Sequence, residues 1–321
     1  MNEVKFLAFA DLHHEPGYYN CAPERLAKIR QRAEDNKVDF VLHCGDLTHG
    51  PKLVPEIVEQ CDEFPMPMLH CIGNHECDKS SYEEVLEAYH MDNGYYYKDI
   101  SGFRFICYDA NRMEMDGQVI HYDMKNYWHP PVGIRREDTI MVTLGKEQLA
   151  WIEKTIMDSP YPCVLFGHHS FERQHDDFTK EELQAIREMF QRVNKDKQRV
   201  QLVICGHYHV DNLRLRDNVP FFELNSASNY YFNPGHNLFP EEVMRDHGAA
   251  AHTLIWTEPL SAVITLRDDG YINIEGSTAD YWCGVSLKSL GLRIDDSDAR
   301  EVTPEVMTTA FKLDMRGTDN L

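Results

Sequence analysis

The 321-residue sequence has no apolar stretch long enough to cross a bilayer as a helix. Its first apolar run, Val4 to Ala10, is short, has no basic flank and leads straight into Asp11-Leu12-His13. That run is expected to be a core strand rather than a secretion signal. Basic residues are scarce: 32 Lys and Arg stand against 53 Asp and Glu, a formal charge of -21. Such a surface repels polyanions, which argues against a nucleic-acid polymer or an anionic membrane as partner. A small phosphate stays admissible, because bound divalent cations would dominate the field around it. Cysteine pairing is missing too. The nine cysteines are odd in number and contain no C-x-x-C. Cys44, Cys71, Cys107, Cys163 and Cys205 fall in or beside apolar runs, where they act as small buried hydrophobes. A reducing, cytoplasmic setting is the expectation. Neither an internal repeat nor a low-complexity tract is present, and 42% hydrophobic residues suffice for a folded core.

What the chain does have is five short polar clusters, each directly after an apolar run. They are Asp11-Leu12-His13, Gly45-Asp46, Gly73-Asn74-His75-Glu76, Gly167-His168-His169 and Gly206-His207-Tyr208-His209. The runs before them (VKFLAFA, VDFVLHC, MPMLHCI, PCVLF, QLVIC) read as buried strands. Ligands in open α/β sheets gather beyond the carboxyl ends of strands, so chemistry at five such ends is expected to converge.

Helical spacing over Cys21–Asp35, Pro51–Phe64 and Ser80–His90 alternates with the first three strands, which predicts crossover units and parallel pairing. Tyr95–Ile100 and Phe103–Asp109 read as a hairpin turning at Ser101-Gly102. Arg112–Asp138 breaks periodicity and reads as a surface insertion. Further helices are expected over Lys146–Ile156 and Lys180–Gln191. After His209 come Asn212–Arg216, Phe221–Asn225, Ala262–Arg267 and Tyr271–Glu275, expected as antiparallel strands of a second sheet. The segment Ser226–Gly248, rich in Asn, Tyr, Phe, Pro and Gly, is a candidate active-site loop. The expected organisation is one domain over 1–275, with its insertion at about 112–138, and a C-terminal extension over 276–321 packing on it.

Asp, His and Asn offer oxygen and imidazole donors, which suit Mn, Fe or Zn better than calcium or a thiolate-bound metal. An aspartate such as Asp46 can bridge two cations. Two ions about 3.5–4 Å apart generate a hydroxide and clamp the attacking and leaving oxygens of a phosphate ester. His75, beside Asn74, is the candidate for protonating the leaving group.

In order and spacing the clusters resemble those of the calcineurin-like metallophosphoesterases: D-x-H, GD, GNH followed by E or D, H, and GHxH. The resemblance runs from Val4 to Val210, and its Asp-x-His opening is similar to the bacterial phosphodiesterase branch. It implies a four-layer αββα sandwich of two facing mixed β-sheets with flanking helices. It also implies two transition-metal ions, one held by Asp11, His13, Asp46 and His209. The other would be held by Asp46, Asn74, His168 and His207, with His75 as general acid. Many relatives carry an aspartate three residues after the bridging one; here that position is His49, and no Asp-Arg-Gly follows. A protein Ser/Thr phosphatase is therefore disfavoured. Of the other histidines, His14, His43, His49, His70 and His169 are expected in solvated, packing or supporting roles.

The expected function is metal-dependent hydrolysis of a small-molecule phosphodiester, with Tyr230 as a candidate substrate contact. A phosphomonoesterase on the same site is the alternative within the class. A non-catalytic scaffold on the same fold is the alternative outside it, and the retained His75 speaks for an enzyme.

Overall fold

The apolar run before each polar cluster is a strand in the computed structural model, which describes residues 1–15, 21–115, 117–121, 142–173, 178–231, 239, 241–247, 253–291 and 302–317. The chain begins β1 (Glu3–Phe9), α1 (Ala22–Asn36), β2 (Phe40–His43), α2 (Pro55–Asp62), β3 (Met68–His70) and α3 (Tyr82–Ala88). It continues through β4 (Tyr96–Ile100), β5 (Phe103–Cys107), β6 (Arg112–Met115), β7 (Gln118–His121), α4 (Gly145–Met157), β8 (Cys163–Phe166), α5 (Lys180–Val193) and β9 (Val200–Cys205). Then follow β10 (Asn212–Arg216), β11 (Val219–Glu223), β12 (Asn229–Tyr231), α6 (Glu241–His247), β13 (Thr253–Ile255), β14 (Ala262–Arg267), β15 (Tyr271–Glu275) and β16 (Thr309–Lys312).

Two six-stranded mixed sheets result, ordered β16-β15-β14-β1-β2-β3 and β10-β11-β9-β8-β5-β4. Within the first, β1, β2 and β3 are parallel, whereas β14 runs antiparallel to β1. In the second, β5, β8, β9 and β11 are parallel. This corrects the expectation that all strands after His209 belong to a second sheet. β10 and β11 complete one sheet, while β14 and β15 return to the other, with Ala8 opposite Ala262. β11 and most of β14 are buried on both faces while β10 and β15 alternate with polar residues, and neither pattern marks which sheet a strand joins.

Alternation along each strand divides the core into layers. Phe6 and Ala8 of β1 point between the sheets, and Leu7 and Phe9 point to the helical side with Leu26, Ile29 and Ala33 of α1. Phe6 stacks on Phe40 at 5.0 Å, and both meet Phe105 of the opposite sheet edge-on at 5.3 and 4.7 Å. Each such fully buried ring contributes about 1.5–3 kcal/mol, so the sheets are joined mainly by this layer. α3 starts with a capping box in which Ser81 and Glu84 bond each other's backbone. The beginning of the expected insertion is the β6–β7 hairpin, with Met113 buried. Trp128 to Pro131 lie outside the described residues. In the described part of the tail, β16 extends the first sheet, and Val302, Val306 and Leu313 are buried between the sheets.

Candidate metal centre

The five clusters leave the carboxyl ends of β1, β2, β3, β8 and β9, three on one sheet and two on the other. Backbone bonds carry the ladder past the strand ends: Asp11 N–H donates to Gly45 O and His13 N–H to Asp46 O, each at 2.9 Å. The two sheets are tied where His207 N–H donates to Asp11 Oδ2 at 3.0 Å. Asp11, His13, Asp46, His207 and His209 all have φ between 53° and 78°. That region is strained for side-chain-bearing residues, at roughly 1–3 kcal/mol each, and such strain clusters where function demands it. Gly73 is required for close approach, since a Cβ there would lie 2.0 Å from Asp46 Oδ1. At Gly45, with φ of 89°, a Cβ would meet His168 Nδ1 at 2.5 Å.

The structure brings Asp11, His13, Asp46, Asn74, His168, His207 and His209 into one group with two centres. At the first, His13 Nε2 lies 3.0 Å from His209 Nε2, and Asp11 Oδ1 is 3.2 Å from His209 Nε2 and 3.6 Å from His13 Nε2. His209 Nδ1 faces Asn229 O at 2.6 Å. A carbonyl only accepts, so that nitrogen carries the proton and Nε2 presents a lone pair. Asp11 Oδ1 is buried with no hydrogen-bond donor among the described residues. At the second centre Asp46 Oδ2 lies 3.0 Å from His168 Nε2. The same nitrogen is 3.1 Å from Asn74 Oδ1 and 3.1 Å from His207 Nδ1. His168 Nδ1 donates to Cys44 O at 2.9 Å, so its Nε2 also points inward as an acceptor. Asp46 Oδ2 reaches the first centre as well, 3.8 Å from His13 Nε2. Acceptors facing acceptors in a buried space repel unless a cation lies between them, and this donor set fits two borderline transition-metal ions.

Electrostatics agree with that geometry. Burial opposes ionisation of Asp11, but His209, His13 and His168 hold it well below the usual carboxylate range. Asp46 is likewise held low against burial by His168 and His75. Burial pushes His13 down to about 3, which leaves its imidazole neutral at physiological pH. Burial would also lower His168, but the Asp46 charge and hydrogen bond outweigh it and push His168 up to about 10. Without ions, a proton takes the cation's place at the second centre.

His75 stands at the rim, its side chain 23% exposed, with its N–H donating to Asp46 Oδ1 at 2.9 Å. Its Nδ1 lies 2.7 Å from Asp78 Oδ2. Burial works against its protonation, yet Asp46 and Asp78 together push it up to about 9. Asp78 is a residue that sequence reasoning missed. Its signal was the i,i+3 spacing from His75, which a 3₁₀ turn over His75–Asp78 brings onto one side. Glu76 was also missed. It is fully buried and accepts from the N–H groups of Gly73, Asp46, Leu47 and Thr48 at 2.6–3.3 Å, locking the β2 and β3 loops together.

Tyr230, expected at the site, packs partly buried on the between-sheet core. Its neighbour Tyr231 is the ring beside the centre, 5.1 Å from His13, 5.2 Å from His209 and 6.1 Å from His75. Successive residues of β12 face opposite ways, so the two rings lie on different sides of the strand. His14 turns aside toward Glu56. His43 and His70 are buried and meet ring to ring at 5.4 Å, supporting the core.

The sequence pattern of the calcineurin-like phosphoesterases matches residues 4–211. No match is found among curated proteins. Among solved structures, a dimetal phosphatase from Danio rerio superposes with a TM-score of 0.57 at 14% identity, covering 85% of this chain and 95% of its own. GAP50, the anchor in the inner membrane complex of Plasmodium, superposes with a TM-score of 0.52 at 10% identity, over 99% and 91%. At such identities these likenesses speak for the fold.

Proposed function

The chain belongs to the calcineurin-like phosphoesterase family and is a phosphoric ester hydrolase; from that premise we propose that it is a small-molecule phosphodiesterase working at a two-ion centre. Asp11, His13, Asp46 and His209 would hold one ion, and Asp46, Asn74, His168 and His207 the other, each Mn, Fe or Zn. Such ions supply positive charge to a phosphoryl group and acidity to water. The protein's own residues do the rest. The carbonyls of Cys44 and Asn229 set the tautomers of His168 and His209. Asp78 orients His75 at the rim, where its proton can reach a departing alkoxide.

The observation that carries this reading is the convergence of seven side chains with metal-binding oxygen and nitrogen atoms on two neighbouring centres. Preference for a diester rests on the absence, among the described residues, of a guanidinium presented to the two centres. Arg173, against the Tyr208 ring, is buried with its guanidinium on Glu223 at 3.1 Å. A monoanionic diester needs less counter-charge than a monoester dianion. All nine cysteines are free thiols, which supports a cytoplasmic setting. Among the described residues no helix is long and apolar enough to cross a membrane.

The test is a panel of phosphodiesters, nucleotides and sugar phosphates assayed with Mn, Fe and Zn. A higher kcat/KM for diesters than for matched monoesters is expected. A monoester preference across the panel would move the assignment to a phosphomonoesterase, and no turnover with any metal would leave the scaffold reading.

A further inference from the structure

Beside the first centre lies a second set of contacts, of which the two-ion reading uses only the Asp78–His75 pair. His13 presents Nε2 to the centre, and its other nitrogen, Nδ1, lies 3.1 Å from His49 Nε2. His49 Nδ1 in turn lies 3.0 Å from Asp78 Oδ2, the same oxygen that His75 Nδ1 meets at 2.7 Å. The rings of His49 and His75 are 4.4 Å apart, and the side chains of His49 and Asp78 are about nine-tenths buried, at 13% and 10% exposed. His49 is held from behind, its N–H donating to His14 O at 3.1 Å.

Resting on the reading of the site above, we propose that His49 and Asp78 are positioning residues in one hydrogen-bonded train, His13–His49–Asp78–His75, in which a single carboxylate aims both an ion-facing imidazole and the proton-donating one. The donor order is dictated by chemistry. A carboxylate only accepts, so His49 Nδ1 and His75 Nδ1 both carry protons toward Asp78. His49 Nε2 is then an acceptor, and His13 donates Nδ1–H to it. That leaves Nε2 of His13 as a lone pair pointing at the first centre. Partners of this kind, one bond removed from an ion, typically change its affinity about 10–100-fold when deleted. Tyr231 closes the arrangement, with its hydroxyl 3.4 Å from His49 Nε2.

The train predicts linked consequences at two places that need not otherwise move together. Ring-nitrogen NMR of histidine-labelled, ion-free protein should show His13 and His49 as Nδ1–H tautomers at neutral pH. In Mn titrations, His49→Ala should weaken one of two equivalents by about 10–100-fold and leave the other unchanged. His49→Gln, whose amide oxygen can accept from His13 Nδ1–H, should restore most of that loss. Asp78→Ala should weaken the same equivalent and also slow esters with alkyl leaving groups more than p-nitrophenyl esters. Thermal melting of each variant checks that it folds. An Nε2–H tautomer at His13, or wild-type affinity for both equivalents in His49→Ala, overturns the proposal. A third Mn equivalent in the wild type that His49→Ala abolishes also overturns it, because the three histidines would then hold an ion instead of a proton train. If the tautomers and Mn affinities behave as expected while no ester is hydrolysed, the enzymatic reading fails and the train stands.

Discussion

Loading of the two centres should respond differently to pH, and the difference follows from one hydrogen bond. His168 is pushed up to about 10 by Asp46 against the effect of burial, so at neutral pH it carries a proton on the nitrogen aimed at the second centre. An ion entering there must displace that proton. At pH 8, two units below 10, the competition weakens apparent affinity on the order of 100-fold, and more at pH 7. Affinity for that equivalent should therefore rise at least tenfold per pH unit between pH 6.5 and 9. His75, pushed up to about 9 largely by the Asp46 charge, would add to the slope once an ion neutralises Asp46. His75→Asn should return it to one proton per ion. The first centre behaves otherwise, because His13 is already neutral above about 3. Its equivalent should gain little affinity over the same range. The assay is competition with a chromophoric chelator at several pH values, paired with proton release in weakly buffered solution. Two equivalents with the same pH slope, or no proton released by the second, would refute the reasoning.

Asp46→Asn keeps an oxygen for the His75 N–H but removes the shared charge, so bound metal should fall well below two ions per chain and hydrolysis should vanish; an active variant with two ions would sink the shared-ligand assignment. Tyr231→Ala should raise KM for the preferred ester about 2–12-fold, the worth of one ring contact, while sparing a small chromogenic ester. Tyr230→Ala should lower the melting temperature instead, and the reverse pattern would restore Tyr230 as the substrate contact. His70, pushed down by burial to about 4 from an unfolded value near 6.5, binds its proton more readily in the unfolded chain. Its contribution to stability is present above pH 6.5 and is lost as pH falls toward 4, by up to about 3 kcal/mol. Urea unfolding of ion-free His70→Phe should show a shallower acid loss than wild type, and parallel curves would count against this.

The proposed site was unusually legible because its chemistry is local to strand ends. A buried strand must be an apolar run, and the residue just past it emerges at the sheet edge, so Asp11, Asp46, Asn74, His75, His168, His207 and His209 each announced themselves by position. Element types followed from the same periodicities: the hairpin at Ser101-Gly102 and the strands Cys163–Phe166 and Val200–Cys205 lie where the pattern placed them. Supporting contacts were less visible. Asp78 became the partner of His75 and His49 only because a 3₁₀ turn superimposes residues three apart, and the chain after Asn74 could equally have formed an open loop.

Sequence alone determined which residues end the strands, which faces are apolar and which donors are available, since these depend on side-chain chemistry and on neighbours a few positions away. Tertiary structure decided what depends on partners far along the chain. It sent β14 back to pair with β1 and β15 to pair with β14, because backbone pairing can form wherever a sheet edge is open and the local sequence does not name that edge. It chose Tyr231 over Tyr230 through the register of β12 against β13, since a shift of one residue turns the opposite side chain toward the centre. It also made Asp46 common to both centres, because only the facing of two separate sheets brings His168, 122 residues later in the chain, to 3.0 Å from that carboxylate.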